Sequence, residues 1–138
     1  MRLPSPATVL TVPVAFAAVA DTACILAFAA VGRASHAEDG GVVGVVTVAW
    51  PFLAGAALGW AMGRAWRAPH RLWPQGVTVW AVTWAGGMTL RGLTGGGLAP
   101  SFLLVAAASL GVLLLGWRAI AVLVSAGRAR ATQAPSRA

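Results

Sequence analysis

Four apolar stretches divide the chain, at about 11–32, 42–63, 74–91 and 99–124, and polar residues gather between them. A helix rises about 1.5 Å per residue and needs roughly 20 apolar residues to cross ~30 Å of hydrocarbon. The pattern therefore predicts four membrane-spanning helices. The connections are short: Arg33 to Gly41, Arg64 to Trp73, and the glycine-rich Gly92 to Leu98. Short connections make consecutive helices antiparallel neighbours. The expected fold is all-α, an integral membrane four-helix antiparallel bundle over about residues 11–125. Residues 1–10 read as a cytoplasmic N-terminal segment. Residues 126–138, basic and without an apolar period, read as a disordered cytoplasmic tail.

Composition agrees with a membrane class: of 138 residues 59% are hydrophobic and 9% charged, against roughly 25% charged in soluble domains. The net charge of +7 would suggest nucleic acid in a soluble chain. Here the arginines stand singly or in short groups at the ends of apolar runs, which is a topology signal, so the expected partner is the lipid bilayer and not nucleic acid. Arg2, Arg64, Arg67, Arg71, Arg118, Arg128, Arg130 and Arg137 fall on one side, and Arg33 and Arg91 on the other with Glu38 and Asp39. Basic residues near span ends stay in the cytoplasm, so both termini are expected there. The lack of lysine beside abundant Ala, Val, Gly and Arg suggests a bacterial source, and hence a bacterial plasma membrane. Trp60, Trp66, Trp73 and Trp117 fall at the predicted inner boundary, as an aromatic belt would. Ala18-Val19-Ala20 before Asp21 imitates a signal-peptide cleavage site. Cleavage there would leave a ten-residue apolar remnant, too short to span, so an intact first helix is expected. The single cysteine, Cys24, excludes an intramolecular disulfide.

Packing signals lie in the middle spans. Gly55, Gly59 and Gly63 repeat every fourth residue and form a small-residue face that admits another helix, from this chain or from a second copy in a homodimer. Pro51 sits inside the same span and predicts a kink. In the third span Trp80, Trp84 and Met88 share one face, while Thr83, Gly87 and Arg91 share an adjacent one. Trp80 and Trp84 either fill space or direct their N–H groups to acceptors within the bundle.

Asp21 is the costliest residue, because a carboxylate at the bilayer centre costs ~2.5–3.5 kcal/mol or more. Arg33 lies twelve residues away, about 18 Å of helix rise, and Arg91 is also far from mid-membrane, so no ion pair is expected. Thr83, Ser109, Trp80 and Trp84 stand at similar predicted depth and are the expected hydrogen-bonding partners. Asp21 then serves either as a proton or cargo site or as an interhelical tie. A slipped first helix would lower its cost by bringing it nearer the inner surface. No catalytic, metal or cofactor pattern occurs: His36 and His70 fall on opposite sides, Glu38 and Asp39 are adjacent, and Gly92-Leu-Thr-Gly-Gly-Gly reads as a turn. No enzyme activity, metal or cofactor is expected.

The series Asp21, Phe28, Gly32-Arg33, Ser35-His36, Ala49-Trp50-Pro51-Phe52, Gly55 and Gly59-Trp60 resembles a family of small actinobacterial integral membrane proteins of unknown function. Pro74, Gly76, Trp80, Thr83, Gly86-Gly87-Met88, Arg91, Phe102 and Gly116-Trp117-Arg118 continue the likeness, over about residues 17–120. The resemblance implies several membrane helices and no assigned activity. Arg33, His36 and Arg91 are expected either to form a cationic patch at the outer mouth, fit for an anion or lipid headgroup, or to snorkel individually. Two functions remain open: a small oligomeric transporter or ligand-binding membrane protein using Asp21, and a non-catalytic structural or assembly partner of another membrane or envelope component.

Overall fold

A computed structural model describes residues 12–36 and 40–133. Residues 1–11, Glu38, Asp39 and Arg137 lie outside them, with the expectations attached to Arg2 and to the end of the tail. Four helices follow in order: α1 (Val14–Ser35), α2 (Gly41–Gly63), α3 (Val77–Leu93) and α4 (Pro100–Gln133). Pro13 precedes α1 and Pro100 opens α4, positions where a missing N–H loses no helical bond. α2 stops at Arg64, which takes the left-handed conformation at φ 46°. A short 3₁₀ turn (Ala65–Arg67) and a wider turn (Leu72–Gly76) lead into α3. There the Gly76 N–H donates to the Arg71 carbonyl at 2.9 Å. The α3–α4 connection closes with Gly95 at φ 83°, a conformation that favours glycine.

The helices form an up-and-down ring: each packs on its sequence neighbour, and α4 returns to α1. The end that carries the α1–α2 and α3–α4 connections is the upper end, and the α2–α3 connection marks the lower one. Between them the core is apolar, built on Ile25, Phe52, Leu110 and Leu114. α1, α2 and α4 are long and apolar enough to cross a membrane; α3, with 17 residues, is shorter, about 25 Å. Large apolar side chains such as Val19, Leu104, Val112 and Leu123 face outward, which suits a lipid surroundings and not water.

Two boundaries differ from the apolar pattern. α1 begins at Val14 and runs to Ser35, so its centre lies toward the upper end relative to the predicted span. α4 continues to Gln133, so the described part of the expected tail, residues 126–133, is helical. Ala, Arg and Gln propagate helix well, and extending an existing helix needs no new nucleus, so loss of the apolar period does not end it.

The glycine face of α2 meets α3. A Cβ at Gly55 would stand 2.9 Å from the Thr83 carbonyl oxygen, one at Gly59 3.0 Å from Val79 Cα, and one at Gly63 3.2 Å from Thr78 Cγ2. This backbone approach makes α2–α3 the most extensive helix pair. Of the two partners this face could admit, it meets the one within the chain. Gly87 on α3 leaves room for the Phe52 ring, which meets Phe28 edge to face at 5.2 Å. Pro51 is buried inside α2, and its missing N–H leaves the Thr47 carbonyl without its usual donor.

These contacts separate two glycine classes. Gly59→Val should cost about 1–3 kcal/mol by overpacking α3, whereas Gly116, with nothing within 4 Å of an added Cβ, should accept Ala with a gain of up to ~1 kcal/mol. Thermal unfolding in mild detergent reads both; equal midpoints for the two variants would refute the α2–α3 assignment.

Candidate functional site

Asp21 lies fourteen residues below the upper end of α1, about 21 Å along its axis, and Arg118 lies eighteen below the start of α4, about 27 Å. Side chains lean toward the N-terminus of their own helix. α1 rises and α4 descends, so Asp21 leans down and Arg118 leans up, closing the difference in height. Trp60 on descending α2 and Trp117 on α4 lean up in the same way. The four side chains meet in one buried cluster.

The guanidinium grips the carboxylate with both terminal nitrogens, Nη1 to Oδ1 and Nη2 to Oδ2, each at 2.7 Å. Trp117 Nε1 donates to Oδ1 and Trp60 Nε1 to Oδ2, each at 2.8 Å. Each oxygen thus receives one guanidinium and one indole N–H, a charge-assisted fork with two neutral supports. Arg118 Nη1 also donates to the Leu114 carbonyl at 2.8 Å, and Nε donates to Pro69 O at 3.0 Å. The last bond draws the α2–α3 connection over the pair. Gly76 completes this cover, since a Cβ there would stand 2.9 Å from Arg118 Cδ. Asp21 is 2% exposed and Arg118 fully buried. One polar cluster therefore joins α1, α2, α4 and the lower connection.

This geometry corrects the expected surroundings of Asp21. An ion pair exists, made by an arginine that sequence reasoning assigned to the inner surface. Thr83, Ser109, Trp80 and Trp84 are not its partners. Trp80 Nε1 donates to the Ala107 carbonyl at 2.9 Å and Trp84 Nε1 to that of Leu103 at 3.0 Å, so two indoles one turn apart on α3 fasten two carbonyls one turn apart on α4. Gly111 makes room for the Trp80 ring. Thr83 Oγ1 is buried among the described residues without a hydrogen-bond partner. The aromatic belt is reduced as well: Trp60 and Trp117 turn inward to Asp21, while Trp66 and Trp73 remain 49% and 75% exposed.

A second feature occupies the upper half. A cleft of about 760 Å³ opens between α1 and α4, lined from Ala27 to His36 on the first helix and from Ala99 to Leu113 on the second. Its walls are mostly apolar, with the Ser109 hydroxyl partway down. Arg33 and His36 from the end of α1 and Arg91 from the end of α3 line the same cleft, so the three expected mouth residues do come together. Arg91 is held in place: Nε donates to the Gly97 carbonyl at 3.1 Å, and the guanidinium lies 4.7 Å over the Phe102 ring. Arg33 reaches across to the start of α2, where a Cβ at Gly40 would stand 2.7 Å from its Nη2. Among the described residues no group of three His, Cys, Asp or Glu side chains is placed to hold a metal ion.

A strand-free set of four helices among the described residues, three of them able to cross a bilayer, defines an all-α bundle of the membrane-protein class. The chain belongs to the family described as protein of unknown function (DUF3054), whose family model matches residues 18–121. The match includes Asp21, Arg118 and the cleft. No curated protein and no solved structure matches the chain.

Removing one partner of a buried pair strands the other charge, which costs about 3–5 kcal/mol. Asp21→Ala and Arg118→Met should each lower the unfolding midpoint by that amount of stability. The double variant Asp21→Leu with Arg118→Met should regain most of it, because an apolar replacement leaves no unpaired ion. Additive losses in the double variant, measured by thermal unfolding in detergent, would disprove the coupling.

Proposed function

We propose that this chain is a ligand-binding membrane protein, without catalysis, whose site is the cleft between α1 and α4. The observation that carries the reading is that cleft: about 760 Å³ of mostly apolar space with Arg33, His36 and Arg91 at its mouth, a size within the ~300–1,000 Å³ of ligand pockets. Such a site fits an amphiphile with an anionic end. Asp21 serves as a fixed tie in the frame and not as the ligand group, because both of its oxygens are already filled by protein donors. The reading asks for no second copy and no transport step.

In a bacterial plasma membrane the lower end faces the cytoplasm. Arg118 is buried and leaves the sequence count of eight basic residues on that side at seven, against two on the other, so the bias persists. Both termini are then cytoplasmic and the cleft mouth is extracytoplasmic. A second reading, a structural partner of another membrane component, draws on α4: its 34 residues extend about 51 Å, roughly 20 Å beyond the hydrocarbon thickness.

Native mass spectrometry of the intact protein in mild detergent tests the first reading. The wild type should retain an amphiphile, and Ala108→Phe, which places a ring in the cleft from an exposed α4 position, should release it without loss of folding. Equal retention by the two proteins, or none by either, counts against the cleft.

A further inference from the structure

We infer that the occupant of the α1–α4 cleft is an acidic phospholipid of the upper leaflet, its phosphate held at Arg91, with Arg33 and His36 lining the same mouth, and its tail lying down the groove; this rests on the cleft being the binding site. The cleft has opposite chemistry at its two ends. At the mouth stand two guanidinium groups and an imidazole, and below them the walls are formed by Phe28, Val31, Phe102, Val105, Val112 and Leu113. A polar head on an apolar tail matches this order; a free anion would leave the groove unused, and a neutral oil would leave the terminal nitrogens of Arg91 without an acceptor.

Arg91 supplies the orientation. Its Nε is engaged by Gly97 and its plane rests on Phe102, while its terminal nitrogens have no protein partner among the described residues. A planar fork already held at one edge loses little further freedom when it takes two phosphate oxygens. Arg33 and His36 approach from the other side of the mouth, on α1.

Depth supplies the tail. From Ala99 to Leu113 the α4 wall covers fourteen residue steps, about 21 Å. Half of the hydrocarbon core is only ~15 Å. The groove is therefore long enough to take the full reach of a leaflet's acyl chain. It ends above Asp21 and Arg118, neither of which lines it. Val31, Val105 and Val112 are exposed on its flanks, so a lipid can enter sideways from the bilayer without crossing the polar surface.

The test titrates the full-length protein in mild detergent with dioleoyl phosphatidylglycerol, dioleoyl phosphatidylcholine or inorganic phosphate, with bound mass read by native mass spectrometry. Phosphatidylglycerol should be retained at least about tenfold more strongly than phosphatidylcholine, and Arg91→Gln should reduce its retention about tenfold, the scale of one hydrogen bond to a charged group. Ala108→Phe should abolish that retention, and Arg128→Gln, at the far end of α4, should leave it unchanged. Equal retention of both lipids, lost in Ala108→Phe, would overturn the acidic-lipid assignment and leave the cleft as a binding site. Phosphate binding that depends on Arg91 but ignores Ala108→Phe would make this an anion site without a tail, also overturning it. A preference that falls in Arg128→Gln but not in Arg91→Gln would move the lipid to the lower surface. A dimer split by Ala108→Phe would give the groove to a second copy. If Ala108→Phe affects none of the ligands, the cleft reading fails together with the inference.

Discussion

An ionised carboxylate and a guanidinium inside an apolar bundle each lose several kcal/mol of hydration, and the rest of this fold is arranged around making that loss tolerable. Asp21 and Arg118 meet only because α1 and α4 run in opposite directions and their side chains lean toward each other. Two indoles complete the carboxylate's acceptor sites, and a loop carbonyl and a carbonyl of α4 take two further guanidinium N–H groups. The cluster adds little net stability over an apolar core of equal shape. What it adds is registry: a bundle in which α1 and α4 were shifted by a turn would leave two buried charges facing hydrocarbon.

The other contacts divide the bundle into a tight side and an open one. On the tight side the small-residue face of α2 brings backbone against backbone with α3, and the Trp80 and Trp84 indoles bind α3 to α4. On the open side α1 and α4 are tied near the lower end by the ion pair, and above it the cleft opens beside the Phe28 and Phe102 rings. Space that glycine removes between α2 and α3 is thus left between α1 and α4. Close packing and open space fall to different helix pairs.

Much of this was legible in the chain itself. Apolar length located four helices, short connections ordered them, and the four-residue glycine spacing marked a close-contact face, because all three depend on local pattern. The mouth residues were legible too, since Arg33, His36 and Arg91 end helices at the same side. The partner of Asp21 was not. Arg118 falls near the end of an apolar stretch, where arginine ordinarily signals topology, and only the opposed lean of side chains on antiparallel helices turns it inward. The indoles misled for a related reason: depth along a helix is readable from sequence, but azimuth around it is set by tertiary packing, and it sent Trp60 and Trp117 to the acid and Trp80 and Trp84 to α4. The helical run past Ser125 was hidden because polarity removes the apolar signal without removing the capacity to continue a helix.

The charge cluster also fixes where the molecule can yield. It pins α1, α2 and α4 together at one level, and above that level α1 and α4 face each other across the cleft through the Phe28 and Phe102 rings, centroids 6.5 Å apart. Widening the mouth therefore has to part these rings, whereas the buried ions lie beyond the lower end of the groove.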